Sequence, residues 1–394
     1  IMLTKTTILS VMAAQANTFA DKSFIDRKID FPDSTKKILI ISGIRRCGKS
    51  TIIRKRYFNK NNAYYINFED PRLINFELSD FTRLEELYYE NNRKYLLLDE
   101  IQNIDNWEIF VRSAHEKGIQ VIITGSNASL LSKELGTKLT GRYKQLELFP
   151  FNFSEFLEFQ KEERSFKSFE NYFELGGFPE FIEEPDTDYH RTLLRDIVTR
   201  DIAVRRKLQN ETHILRLAVH LLSNIGKEFS YNKLSNLLEI KSVRTVIDYC
   251  DYLNESYLVE FVPMYSTSIK KQIANPKKVY AIDAAFAQSN SLSFSKDLGR
   301  RLENMVFNKL RYHNKEIYYY KASKAECDFL IKTNESISQA IQVCWEVNND
   351  NINREINGLK AAMKETNIRN GIIITYNQED NLDGIQLIPI WKWL

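Results

Sequence analysis

Fifteen residues, Lys37 to Thr51 (KILIISGIRRCGKST), constrain this chain more than any other stretch. Ile38, Leu39, Ile40 and Ile41 form a short apolar run that reads as a buried strand. The next eight residues, Gly43, Ile44, Arg45, Arg46, Cys47, Gly48, Lys49 and Ser50, fit the phosphate-binding pattern G-x-x-x-x-G-K-[ST], and Thr51 continues into a helical run. In such a loop the glycines let the backbone curl until successive N–H groups point inward at a polyphosphate, and the following helix adds its positive N-terminal end. Lys49 would reach the outer phosphates, and the Ser50 hydroxyl would ligate Mg²⁺. The stretch predicts an ATP site running from Gly43 to Thr51.

A chain of 394 residues is long enough for two or three domains. Its net charge of +3 is close to neutral for that size, so a nucleic-acid partner would have to be met by local clusters of lysine and arginine. The four cysteines, Cys47, Cys250, Cys327 and Cys344, show neither C-x-x-C pairing nor histidines at metal spacing, and read as reduced thiols. Near the start, Lys5, the apolar run Ile8 to Ala14 and Thr18-Phe19-Ala20 could pass for a signal peptide, but Gln15 and Asn17 interrupt it. An amphipathic helix leading into the nucleotide domain fits better, and with it a cytoplasmic protein. No later stretch approaches the roughly 18 apolar residues that a membrane span needs.

After the loop, Ala63 to Phe68 reads as a second strand, Thr82 to Asn91 as a helix, and Lys94 to Asp99 as an apolar strand that delivers Asp99 and Glu100 at its C-terminal end. Asp99 would hold Mg²⁺ through water, and Glu100 would polarise the water that attacks the γ-phosphate. The pair lies about 50 residues beyond Lys49 in an alternating strand–helix pattern, and a strand interposed between the phosphate-loop strand and this acidic strand is the arrangement of the additional-strand ATPases. Trp107 to Glu116 is a further helix, and Ile119 to Thr124 a strand ending in Gly125-Ser126-Asn127. Asn127 or Ser126 could sense the γ-phosphate there; Asn127 could equally cap the run that starts at Ala128. Lys144 to Phe149 is the fifth strand, preceded by Thr140-Gly141-Arg142.

The segments GIRRCGKST, YLLLDEIQNIDNWE, ITGSN, LTGRY with LFPFNFSEF, GGFPEFI and QVCWEV together resemble a prokaryotic group of AAA+-like ATPases that carry a C-terminal restriction-endonuclease-like domain. The resemblance covers nearly the whole chain. It implies an α/β AAA+ P-loop domain at residues 1–150. It also places Arg142 where an arginine finger would reach a neighbour's γ-phosphate, and hence implies self-association into an oligomer, a hexameric ring being one arrangement.

From Asn152 the pattern turns helical, and a small helical lid is expected over 151–211. Residues 212–283 read as a winged helix: Ser230 and Ser242 stand as N-caps of two helices at helix-turn-helix spacing. Lys241 and Arg244 open the second helix, where base or phosphate contacts are made, while Lys270, Lys271, Lys277 and Lys278 would make a basic wing. Such modules also dock proteins.

Residues 284–394 give an α+β order that resembles the restriction-endonuclease-like core. Glu303, Asp328 and Gln342 match three of the four places of a metal-dependent nuclease site, and the fourth is Cys344 instead of lysine. The lost lysine would have helped orient the attacking water; Lys321, Lys324 or Lys332 could take over that role. The sequence therefore supports an ATP-hydrolysing machine on duplex or branched DNA, with a nucleotide-controlled signalling switch and an active nuclease as alternatives.

Overall fold

The computed structural model describes residues 3–17, 24–32, 36–58, 62–126, 141–208, 210–293 and 297–394. Its contacts divide the chain into two compact units, Ile1–Phe149 and Pro150–Leu394.

In the first unit, α1 (Lys5–Asn17) precedes β1 (Ile38–Ser42), α2 (Lys49–Tyr57), β2 (Ala63–Asn67), α3 (Phe81–Glu90), β3 (Tyr95–Asp99), α4 (Trp107–Glu116), β4 (Gln120–Gly125) and β5 (Tyr143–Glu147). The strands form one parallel sheet in the order β2-β3-β4-β1-β5. A parallel sheet is covered on both faces, which is why its strands read as near-continuous apolar runs. Alternate side chains, Ile38 and Ile40, Tyr64 and Ile66, Leu96 and Leu98, Val121 and Ile123, join Ile8, Leu84 and Trp107 in one core on the side of α1, α3 and α4. The intervening residues, such as Leu39, Ile41 and Leu97, are equally buried on the other face, where α2 packs over β3 and β4.

The strand that stands between β1 and the acidic strand β3 is β4, whereas the second strand of the sequence, β2, lies at the far edge. Sequence order alone cannot show this, because a parallel crossover leaves open which neighbour it skips. Helix α1 is a docked element: Ile8, Val11 and Met12 are buried, and Gln15 exchanges hydrogen bonds with the Asn67 backbone at 2.9 and 3.1 Å.

The second unit opens with four helices, α5 (Phe153–Gln160), α6 (Phe166–Leu175), α7 (Pro179–Glu183) and α8 (Tyr189–Asp196). Asn152 and Glu155 cap α5 reciprocally. Helix α8 runs on directly into Ile197–Val204, which winds as a π-helix.

Next come α9 (Glu211–Leu222), β6 (Glu228–Phe229), α10 (Tyr231–Leu237), α11 (Val243–Glu255), β7 (Val259–Pro263), α12 (Ile269–Ala274), β8 (Lys277–Ala281) and α13 (Ala284–Asn290). Ser230 and Ser242 cap α10 and α11 by accepting from the Lys233 and Thr245 N–H groups. Strands β6, β8 and β7 form a small antiparallel sheet with β8 in the middle.

The rest is α14 (Leu298–His313), β9 (Ile317–Lys321), β10 (Glu326–Thr333), β11 (Ser336–Cys344), α15 (Ile352–Thr366), β12 (Gly371–Thr375), β13 (Asp380–Leu382), β14 (Ile385–Pro389) and α16 (Ile390–Trp393). These strands make a mixed six-stranded sheet in the order β13-β14-β12-β11-β10-β9, antiparallel from β9 to β11 and at β13–β14, parallel from β11 through β12 to β14. The α15 residues Ile356, Leu359 and Ala362 pack over it with Leu330, Ala340 and Ile373. The three-stranded sheet is tied to its β9 edge, since the Tyr265 N–H donates to the Tyr319 carbonyl at 2.7 Å.

The basic wing expected of four lysines is corrected here. Lys270 and Lys271 are exposed on α12, but Lys277 is half-buried against the Tyr231 ring and Lys278 is buried. Neighbours on a strand point to opposite faces, and here the Lys277 face packs on Tyr231 while the Lys278 face meets Glu303, Glu326 and Asp328, so neither side chain is free to line a surface wing.

Candidate functional site

The loop of Gly43 to Gly48 leaves the C-terminal end of β1. Gly43 is dictated by close approach, since a Cβ there would collide with the Leu148 carbonyl oxygen, and Gly48 turns the chain into α2 at a φ of 98°. Ile44 and Cys47 are buried under the loop, Arg45 reaches Glu69 at 2.7 Å, and Arg46 is exposed. Burial pushes the Cys47 thiol up, so it stays protonated and serves as packing that donates to the Leu148 carbonyl. Arg27, from a segment the motif does not include, braces the loop by donating to the Cys47 carbonyl at 2.9 Å and the Phe149 carbonyl at 2.7 Å.

Lys49 is buried and points back over the loop, donating to the Gly43 and Ile44 carbonyls at 3.1 Å each, with the Glu100 carboxylate 3.6 Å away. Glu100 follows β3 in the left-handed region, at a φ of 51°. That backbone turns its side chain off the strand line, and the Glu100 N–H is fixed on the Thr124 hydroxyl at 3.0 Å. The same hydroxyl donates to Asp99, whose second oxygen accepts from Tyr65, itself bonded by Arg54 at 2.6 Å. Burial, followed by the Glu100 charge, raises the Asp99 carboxyl above the ordinary aspartate value, against hydrogen bonds from Thr124, Tyr65 and Ser50. Ser50 and Asp99 are therefore in contact, a hydroxyl and a carboxylate that suit a hard cation.

The structure thus brings Lys49, Ser50, Asp99 and Glu100 together at one end of the parallel sheet. Gln102 donates to Glu100 and lies 3.5 Å from Ser126, which is buried at the end of β4; Asn127 falls outside the described residues. Arg142 is elsewhere: it precedes β5, its carbonyl accepts from the Ile38 N–H at 2.9 Å, and its side chain pairs with Glu116 of α4. Ile38 begins β1 and the loop leaves from its other end. Arg142 consequently sits on the sheet edge opposite the phosphate loop, roughly 15 Å of strand away. Sequence reading missed Tyr65, Thr124, Arg54, Gln102 and Arg27. Only Gln102, two residues past Glu100, carried a signal, a polar side chain within reach of the carboxylate.

In the second unit, Lys241 and Arg244 are exposed at the start of α11, with Arg244 paired to Asp248 at 3.1 Å. Glu303 of α14, Asp328 of β10 and Gln342 of β11 do meet. Gln342 accepts from the Asp328 N–H at 3.3 Å but turns its amide to Glu355 at 2.6 Å. Asp328 accepts from the Val343 N–H at 3.0 Å. Cys344 is buried and its thiol is pushed up to about 11, chiefly by burial. Lys321 and Lys332 pair outward with Glu228 and Glu316, and Lys324 is exposed. The cation that reaches the carboxylates is Lys278 of β8, 3.2 Å from Glu303, 2.9 Å from Glu326 and 3.0 Å from Asp328.

A family model described as a AAA domain matches residues 35–157, and models for two domains of unknown function, DUF8612 and DUF4143, match residues 166–296 and 298–393. The chain is 35% identical to the uncharacterized protein MJ1544 of Methanocaldococcus jannaschii over 94% of this chain and 90% of that one. It is 29% identical to an uncharacterized protein of Haemophilus influenzae over 95% of this chain and 98% of the other. Among solved structures, a DNA polymerase III gamma subunit-related protein of Thermotoga maritima aligns over 71% of this chain and 97% of its own at 13% identity. The TM-score of that alignment is 0.27. No helix among the described residues is long and apolar enough to cross a membrane.

Proposed function

The chain belongs to the family of MJ1544, a AAA domain followed by two domains of unknown function, and from that premise we propose that it hydrolyses ATP with Mg²⁺ and couples turnover to work on DNA. The observation that carries the first half is the meeting of Lys49, Ser50, Asp99 and Glu100. Lys49 donates to two loop carbonyls, and the oxygens of a triphosphate are stronger acceptors than either carbonyl. On binding, Lys49 moves to the outer phosphates and leaves Glu100, which then accepts a hydrogen bond from the attacking water and orients it. Gln102 holds the second Glu100 oxygen, so the carboxylate keeps its direction when Lys49 departs. Tyr65 and Thr124 hold Asp99 beside Ser50. Mg²⁺, held there by Ser50 and Asp99, would supply neutralisation of phosphate charge.

We read Arg142 as acting in trans. From its end of the sheet it cannot reach its own loop, so a role at a γ-phosphate requires a second copy and an oligomer, a hexameric ring being one form. The DNA half of the proposal rests on Lys241 and Arg244, two exposed cations opening the second helix of a helix-turn-helix spacing. The C-terminal mixed sheet is read as a restriction-endonuclease-like platform that does not cut, because Cys344 supplies no positive charge and Lys278 fills the carboxylate cluster.

The test is the ATPase rate at one fixed salt concentration with no DNA, single strands, duplex and a four-way junction. Stimulation by one of the DNA forms is expected. ATP turnover that ignores all of them leaves the ATPase standing and replaces the DNA half with the signalling-switch reading.

A further inference from the structure

Three carboxylate oxygens, from Glu303 on α14 and Glu326 and Asp328 on β10, converge on the Lys278 ammonium at 2.9–3.2 Å. Two of them are held further: Tyr280 donates to Glu303 at 2.6 Å, and the Val343 N–H donates to Asp328 at 3.0 Å, while the Glu326 side chain is partly exposed. Lys278 is only 3% exposed, and its charge has no outlet to water.

Carboxylates that close together repel one another and hold position only around a cation. A divalent metal needs two or more of these same oxygens at about 2.1 Å in its own shell. The ammonium already stands at that point, with its three donors directed at three separate side chains. Lys278 also arrives from the small sheet β6-β8-β7, and the carboxylates from the six-stranded body. One ion cluster therefore joins the helix-turn-helix module to the mixed sheet.

We propose that Lys278 is the resident cation of the Glu303–Glu326–Asp328 cluster, so that the C-terminal body is assembled without a metal and is locked to the helix-turn-helix module by a lysine in the metal's place. Burial works against the Lys278 ammonium, but the carboxylates around it, Glu303 first, outweigh that and hold its pKa well above the usual lysine value. Burial pushes the Glu303 carboxyl up to about 7, against the pull of Lys278, which relieves the excess negative charge of the cluster from within.

The experiment is scanning calorimetry of the full chain without nucleotide, in EDTA and in millimolar Mn²⁺, following the transition that Asp328→Asn moves. The wild-type midpoint should be the same in both solutions. A rise in Mn²⁺ that Asp328→Asn removes would overturn the proposal, because a metal and not the lysine would then hold the cluster. Lys278→Met should lower the midpoint by roughly 10 °C, the size expected for a buried charge cluster that loses one partner. The double variant Lys278→Met/Asp328→Asn should lose less than the sum of the two single changes, since the second removes a charge the first left unpaired. A wild-type midpoint in Lys278→Met, or strict additivity, overturns the proposal. Should Lys278→Met fail to fold, a folded double variant supports it, and the wild-type comparison in EDTA and Mn²⁺ decides it on its own.

Discussion

Among the described residues, two buried lysines meet carboxylates, and they are held in opposite ways. Lys49 has one carboxylate at 3.6 Å and borrows two loop carbonyls at 3.1 Å; Lys278 has three carboxylates at 2.9–3.2 Å. In the first, the close acceptors at 3.1 Å are neutral carbonyls, which hold an ammonium less strongly than full charges do. In the second, every donor has a charged acceptor, and no incoming ligand improves on it. The proposal that Lys49 turns to a polyphosphate while Lys278 stays in place rests on this difference between neutral and charged acceptors at close range.

The sharpest way to break this contrast is substitution at the phosphate loop. Lys49→Ala should abolish measurable ATP binding, read by fluorescent-nucleotide titration, while leaving the thermal midpoint of the nucleotide-free chain near wild type. Its loss removes donors from two loop carbonyls and a contact of 3.6 Å with Glu100, and Gln102 still donates to that carboxylate. A fall as large as that expected for Lys278→Met would erase the distinction between the two lysines.

Glu100→Gln should keep ATP affinity and reduce turnover by about 10²- to 10⁴-fold, the range for losing a positioned base. Wild-type turnover in that variant would remove Glu100 from the chemistry and leave its contact with Lys49 as packing.

A smaller effect belongs to Tyr65. Its hydroxyl donates to the ionised Asp99 and so lowers a carboxyl pKa that burial has raised. Tyr65→Phe should therefore move the acid limb of the ATPase pH profile to higher pH, because Asp99 then takes up a proton sooner as pH falls and a protonated Asp99 cannot hold Mg²⁺. Turnover in mildly alkaline buffer should change little. A profile that keeps its acid limb while falling evenly at all pH values would assign Tyr65 to packing alone.

How far these sites could be read in advance follows from how local they are. The meeting of the loop, Asp99 and Glu100 was legible because each position is tied to a strand end, and strand ends are marked by the apolar run before them. The caps Ser230 and Ser242 were legible for the same reason, a hydroxyl three residues ahead of a helical N–H. Tyr65 and Thr124 were hidden because they read as ordinary strand residues, and their contact with Asp99 depends on the sheet order, in which β4 stands beside β3. Lys278 was misread as a wing residue because the sequence shows it among other lysines. It points inward because its face of β8 packs against α14 and β10, which carry the carboxylates. The replacement of one lysine by Cys344 was visible, but the cation that compensates comes from about 65 residues earlier in the chain, from a module that pattern reading had set apart.

The smallest expected effect tests what remains of the basic charge in the second unit once Lys278 is counted as internal. Lys241 is exposed, and Arg244, although paired with Asp248 at 3.1 Å, keeps most of its side chain in water. An exposed pair of this kind contributes little to folding, so both residues can be replaced without loss of structure. If they contact phosphates, each lost contact lowers the slope of log K against log salt by about 0.9 for duplex DNA. The double variant Lys241→Ala/Arg244→Ala should therefore bind duplex more weakly at low salt, with a slope reduced by about 1.8 and a thermal midpoint unchanged. Arg244 must leave Asp248 to reach a phosphate, and a fall nearer 0.9 would mean that it stays and Lys241 acts alone. An unchanged slope would move α11 from a nucleic-acid surface to a protein-docking one. Lys278→Met offers the matching control: its charge is enclosed, so in the folded variant the DNA slope should stay as it is in the wild type.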